Sequence, residues 1–462
     1  MHTVLREPFR IRAVEPIRLL SRAERREKLD RAKYNLFRLS PGDVAIDLLR
    51  DSGSGAFTLD RIAALLKGDD GDPGERSASR LESFVRDLTG FRHAVITRQG
   101  ALAERLAISL LAAEARVVFA NALGESARAN CRFAGAEPRV LVPADALDAE
   151  SRRPLRGGLD AAALERAVAA VPQGEAAFVL VSLASDPSGG QSVSIDSLRA
   201  ASAVCRRHGV PLWLEASRFA ENAFLARRDD PALRGRTVAE VAREIFGLAD
   251  GAYVCGPRDA LASAGGFVAL NDDALASRCR TLAFLSEGPS AAGSPARDFD
   301  ALSSALRDGL DETSLAYRQE LCGHLAENLE ALGVPVLHPS GGDSVFIDAA
   351  RFLPHLPRTQ FPGQALACAL FVEGGVRGCE VGSLSLGSPL ADGKGPGVAP
   401  PAPFELLRLS LPIRGCTEGH VNYVVGRLAA LIRQRGEIRG LRVVRDESQA
   451  SRLYSAELEP VP

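Results

Sequence analysis

Lysine is nearly missing from this sequence. Of its 56 lysine and arginine residues only four are lysine: Lys28, Lys33, Lys67 and Lys394. The scarcity bounds the chemistry, because a neutral amine can attack a carbonyl whereas a guanidinium, protonated at any ordinary pH, has no free lone pair to do so. Excess charge is missing as well. A formal net charge of -2 gives no electrostatic support to a general nucleic-acid or membrane-surface role. Long apolar runs are absent: no stretch of 18 apolar residues occurs, and the opening MHTVLREPFRIRAVEPIRLL lacks the apolar core of a secretion signal. The expectation is a cytoplasmic protein with neither a membrane nor a nucleic-acid partner. Cysteine pairs are missing too. None of the eight cysteines forms a CxxC motif, and they scatter through apolar contexts. This predicts reduced, mostly buried thiols and no metal site, since no ligand spacing supports one.

What remains is an ordinary globular mixture, 46% hydrophobic and 25% charged, over 462 residues. That length suits two or three domains or one large two-part subunit. A charged helix is expected over Ser21–Lys33, a flexible turn at Asp51–Gly55, a helix over Leu59–Leu66 and an acidic, Gly-rich loop at Gly68–Ser77. Apolar runs then recur at Ala94–Thr97, Arg116–Ala120, Arg139–Val142, Ala177–Leu183, Val210–Leu214, Gly251–Val254 and Gly266–Leu270. Helical stretches such as Gly100–Glu114, Ala161–Val171 and Ser194–His208 separate them. Strands without polar alternation are buried on both faces, so the pattern predicts an α/β fold with a mostly parallel sheet. Functional residues in such sheets gather at the carboxyl ends of the strands. Past about residue 300 the pattern changes to a smaller α+β unit. It comprises a long helical region at Ala301–Leu332, strands at Val345–Ile347 and Leu406–Leu411, helices at Gly363–Gly374 and Glu418–Arg433, and a Gly/Pro-rich loop at Gly387–Pro403. The predicted division is 1–50 as an N-terminal arm and part of the small domain, 51–305 as the large domain, and 306–462 as the small C-terminal domain.

Several stretches carry a resemblance to a known family. They are YNLFRLSPGDVAIDLLRDSGSGAF (Tyr34–Phe57), SGGQSVS (Ser188–Ser194), EASRFAENAF (Glu215–Phe224), the run Val238–Asp272, FPGQALACALFVEGGVRGCEVGS (Phe361–Ser383) and ELLRLSLP (Glu405–Pro412). In this order, spanning nearly the whole chain, they resemble the tryptophanase and tyrosine phenol-lyase family of β-eliminating lyases. The resemblance implies the aminotransferase-type (fold type I) pyridoxal-phosphate fold and a homo-oligomer, a tetramer or dimer. It also implies a pocket that takes a small-molecule amino acid or related carboxylate.

By that resemblance Arg408 matches the arginine that grips a substrate carboxylate through its flat fork, and Ser52 and Asp186 join it as substrate-binding candidates. Arg218 matches a residue beside the cofactor's ring oxygen, Phe119 the aromatic that stacks on its ring, and Gln99-Gly100 the helix start that would hold its phosphate. Other positions depart from the family. In Cys255-Gly256-Pro257-Arg258-Asp259, Arg258 stands where the family has its Schiff-base lysine, and Cys255 replaces a phosphate-binding serine. Ala101 replaces an arginine, and Asp186 an asparagine. Asp72 stands in place of a tyrosine proton donor, and Glu215 in place of the aspartate at the pyridinium nitrogen. Leu453-Tyr454 stands where tryptophanases have His-Phe. The tentative catalytic set is therefore Asp72, Arg258 and Glu215, with Arg258 expected to pair with Asp186, Asp72 or Glu215.

Three readings follow. The first is a divergent homologue that binds an amino acid or related carboxylate and acts without a lysine Schiff base, with pyridoxal phosphate non-covalent or absent. The second is a catalytically inactive pseudoenzyme with a binding or regulatory role. The third is an ordinary pyridoxal-phosphate-dependent C–C lyase.

Overall fold

The structure is a computed structural model that describes residues 6–11, 14–49, 57–67, 75–113, 116–256, 265–288, 297–387, 402–446 and 452–462. The expected turn at 51–55, most of the acidic loop, most of the 387–403 loop and the candidates Ser52, Asp72 and Arg258 lie outside the described residues.

The large sheet has seven strands: β1 (His93–Thr97), β2 (Val117–Ala120), β3 (Glu137–Val140), β4 (Ala176–Ser182), β5 (Leu212–Glu215), β6 (Gly251–Cys255) and β7 (Gly266–Leu270), in the spatial order β1-β7-β6-β5-β4-β2-β3. Strand β7 runs antiparallel to both of its neighbours, and the other pairings are parallel. Residues alternate between two cores. Phe119, Val179, Val181, Leu212 and Leu214 enter one, and Val118, Phe178, Leu180, Trp213 and Tyr253 enter the other. This two-sided burial is why the strands read as continuous apolar runs. The parallel register brings Ser182 beside Glu215 and Glu215 beside Tyr253, so the carboxyl ends of β4, β5 and β6 meet along one edge.

Helices start from that edge: α1 (Gly100–Leu111), α2 (Glu125–Phe133), α3 (Ile195–His208) and α4 (Phe219–Asp229). Helix α3 has Ser194 as its N-cap, accepting from the Ser197 amide, and ends on Gly209 in a left-handed conformation. The Ala301–Leu332 region is not one helix. It breaks between Arg297–Gly309 and α5 (Glu312–Ala331), because the Asp311 side chain accepts from the Ser314 amide and starts a new N-terminus.

A second sheet has three antiparallel strands, β8 (Ser344–Asp348), β9 (Cys379–Val381) and β10 (Leu406–Ser410), in the order β8-β10-β9. Leu407 and Leu409 join a core shared with Leu29, Leu36, Val44 and Leu48 near the N-terminus and with helices α6 (Pro362–Gly374) and α7 (Glu418–Ile432). The two-residue period then turns Arg408 to the opposite face, toward the large sheet's edge. Seven of the eight cysteines are buried, Cys255 is half-buried, and all eight thiols are free. No described helix is long and apolar enough to cross a membrane.

Candidate active site

A cavity of about 380 Å³ lies between the strand ends of the large sheet and the face of β10 that carries Arg408. Gly100, Asp186, Glu215, Arg218, Cys255 and Arg408 all border it. Thus six of the residues singled out in the sequence, drawn from both halves of the chain, meet at one place.

Asn121, just past β2, fixes this edge. Its side-chain amide donates to Gly157 O at 2.6 Å and Ser182 O at 2.8 Å, while its oxygen accepts from the Ser182 and Ala122 amides at 2.8 and 2.9 Å. Glu215, the last residue of β5, accepts from Ser182 Oγ at 2.8 Å and from the Ser217 amide at 3.2 Å. Ser217 in turn accepts through Oγ from the Cys255 amide at 2.9 Å. Gly100 is required here: a Cβ would run into the Cys255 Sγ and lie 2.8 Å from its Cα. Helix α1 can start this close to β6 only because residue 100 has no side chain.

The guanidinium of Arg408 is ion-paired with the Asp186 carboxylate. Its second terminal nitrogen donates to Leu49 O at 3.0 Å, and its Nε is buried with no hydrogen-bond partner. Asp186, expected as one partner for Arg258, has Arg408 as its described partner. The Arg218 guanidinium is ion-paired with buried Asp343. Glu221 lies 4.0 Å from Arg218 and 3.0 Å from Arg318. Burial drives the Asp343 carboxyl up, but Arg218, Arg318 and Arg408 outweigh it and hold the group well below the usual carboxylate range.

Two sequence expectations are corrected. Phe119 does not border the cavity. It is fully buried in the core under the sheet, because strand alternation points residue 119 at that face. The cavity is met by the loop after the strand, through Gly124. Gln99 does not line the cavity either. Its amide and that of Arg98 donate to the Glu287 carboxylate at 3.2 and 2.9 Å, so an acidic side chain already takes the donors that precede α1. Gly100 and Ala101 in the first turn do border the cavity.

The structure also adds residues that sequence reading missed. Glu125 opens α2 on the cavity wall, and burial pushes its carboxyl up to about 7, against the pull of the Leu453 and Arg452 amides. Glu380 borders the same space. Burial and the neighbouring Glu405 charge push it up to about 8, opposed by hydrogen bonds from Ser385 and the Leu384 amide. Tyr253 and Glu104 complete this part of the wall, beside Leu453 and Tyr454, which the sequence singled out. The available signal for Glu125 was positional, an acid beginning a helix right after a strand end. No lysine is among the described lining residues. Lys28 pairs with Asp43 at 2.9 Å. Among the described residues, no group of three or more His, Cys, Asp or Glu side chains is placed to hold a metal ion.

Comparison with known proteins places these observations. The β-eliminating lyase family model matches residues 47–387. The chain belongs to that family. It is 40% identical over 447 residues to a tryptophanase of Hyphomonas neptunium, covering 96% of this chain and 97% of the relative. It is 35% identical over 456 residues to a tyrosine phenol-lyase of a Symbiobacterium species, covering 98% of each. Among solved structures, a serine palmitoyltransferase from Sphingomonas wittichii matches with a TM-score of 0.60 at 15% identity, over 90% of this chain and 97% of that one. A serine palmitoyltransferase variant solved with pyridoxal phosphate matches with a TM-score of 0.61 at 19% identity, over 90% and 98%. These likenesses support the α/β fold of type I pyridoxal-phosphate enzymes.

Two features of the described wall fit pyridoxal phosphate. Glu215 at the end of β5, oriented by the Ser182 hydroxyl and the Ser217 amide, suits a pyridinium nitrogen. The glycine-lined start of α1 leaves backbone N–H groups without helix partners, which suits a phosphate.

Proposed function

We propose that this member of the β-eliminating lyase family binds an amino acid or a related small molecule in the cavity between β5 and β10, and acts on it without a Schiff base to a protein lysine. The carrying observation is the composition of the wall. It brings together Asp186, Glu215, Glu125 and Arg408, and no described lining residue is a lysine. Arg258 at the family's lysine position supports the same reading from sequence. If pyridoxal phosphate binds, Glu215 and the first turn of α1 hold it, and it supplies an electron sink for negative charge on the carbon bearing the amine. The chain's own residues bind and move protons. Glu125, near neutrality in its titration, holds or releases a proton at its carboxyl oxygen on the wall. The Ser182 hydroxyl and the Ser217 amide fix the orientation of the Glu215 carboxyl. Asp72 and Ser52 belong to this proposed site by sequence. The division at residues 50 and 305, a homo-oligomeric tetramer or dimer, and a cytoplasmic location complete the proposal.

The test is thermal unfolding with amines, amino acids, carboxylates and pyridoxal phosphate. A ligand of the native state must raise the melting temperature. No shift with any of them overturns the binding reading. One observation favours the pseudoenzyme alternative: Arg408 is already ion-paired with Asp186. Under that reading, Arg408 variants would leave the protein's biological effect intact.

A further inference from the structure

We infer that Asp186 is a specificity-determining residue that makes the cavity select a primary amine without an α-carboxylate over the corresponding amino acid. The inference rests on the proposal that the cavity binds a small amine-bearing ligand, and it names the class within it.

The argument begins with Arg408. A guanidinium recognises a carboxylate best by offering two adjacent N–H groups to its two oxygens. Here one terminal nitrogen is taken by Asp186, the other donates to Leu49 O, and Nε is out of reach of solvent. Both terminal nitrogens of the fork therefore already have an acceptor within the protein. The other described cation on the wall, Arg218, is committed to Asp343. A ligand carboxylate would therefore have to displace an ion pair whose arginine is only 8% exposed. Displacement would leave Asp186 beside a second anion, with neither fully neutralised.

An ammonium meets the opposite situation. The Asp186 side chain keeps 21% of its surface accessible, and it borders both the main cavity and a recess of about 60 Å³. Glu104 and Glu215 border the same recess. Its volume is of the order of two water molecules' share of liquid, which suits an ammonium or aminomethyl group. Asp186, tethered to Arg408 through one oxygen, occupies the carboxylate's seat from the protein side and turns anionic surface toward the ligand.

The experiment is calorimetric titration of the protein as purified, at neutral pH, with matched pairs: phenethylamine against phenylalanine, tryptamine against tryptophan, and butylamine against norleucine. The expected result is that in at least one pair the amine binds about tenfold or more tightly than its amino acid. Asp186→Asn, which removes the negative charge paired with Arg408, should shift that ratio toward the amino acid by about tenfold or more. Equal or tighter binding of the amino acids by the unaltered protein overturns the inference and leaves the proposed function standing. An unchanged ratio in a folded Asp186→Asn variant also overturns it. Binding of no member of any pair overturns both. The unaltered protein's ratio needs no variant, so it decides the matter even if Asp186→Asn fails to fold.

Discussion

Replacing Asp343 with asparagine should destabilise the protein far more than a surface charge change would. Three guanidiniums, Arg218, Arg318 and Arg408, face three carboxylates, Asp343, Glu221 and Asp186, in and behind the cavity wall. Asp343 is 3% exposed and Arg318 1% exposed, so water cannot compensate for a lost partner. Asparagine would leave three cations against two anions. Breaking a buried pair from one side costs roughly 3–5 kcal/mol, because the remaining charge stays desolvated and unpaired. The pH dependence carries a second signature. The folded-state titration of Asp343 lies below the usual carboxyl value of about 3.9, so its contribution is fully present above that value and is lost as pH falls through the lower folded one. The assay is urea unfolding followed by the chain's one tryptophan, Trp213, which is buried on β5. At neutral pH the variant should lose about 3–5 kcal/mol, and the difference from the unaltered protein should shrink on acidification below about pH 4. A loss under about 1 kcal/mol at neutral pH, the scale of an exposed pair, would refute the reasoning.

Gly100→Ala should lower stability by about 1–3 kcal/mol, seen as a lower melting temperature, because the new methyl collides with Cys255. Adding Cys255→Ala should restore only part of the loss, since the Cys255 Cα itself lies 2.8 Å from the new atom. Glu125 has a folded-state titration raised to about 7, so its protonated form is favoured in the fold. Its contribution is therefore full below the unfolded carboxyl value of about 4.3 and declines as pH rises through 7. Glu125→Gln should raise the melting temperature at pH 8 and change it little at pH 4, and equal effects at both pH values would contradict this placement.

Much of the fold was legible because its physics is local. Strand Gly266–Leu270 was read with its observed limits, since a short apolar run packed on both sides leaves little freedom. The split at Asp311 was missed because a capping aspartate inside a helical pattern looks like any exposed acid. The site was legible in part. Glu215 and Cys255 end their strands and Arg218 follows one, where sheet topology gathers functional groups. Phe119 went wrong because an aromatic inside a buried strand obeys the strand's alternation and not the pocket's needs. The pairing of Arg408 with Asp186, 222 residues apart, could not be read from either neighbourhood. It needs the second sheet to turn residue 408 toward the strand ends of the first.

The most direct test of the central claim is the absorbance spectrum of the purified protein with added pyridoxal phosphate, beside an Arg258→Lys variant. The account predicts no imine band near about 420 nm in the unaltered protein and its appearance in the lysine variant. Such a band in the unaltered protein, fixed to a lysine by borohydride reduction, would contradict the account.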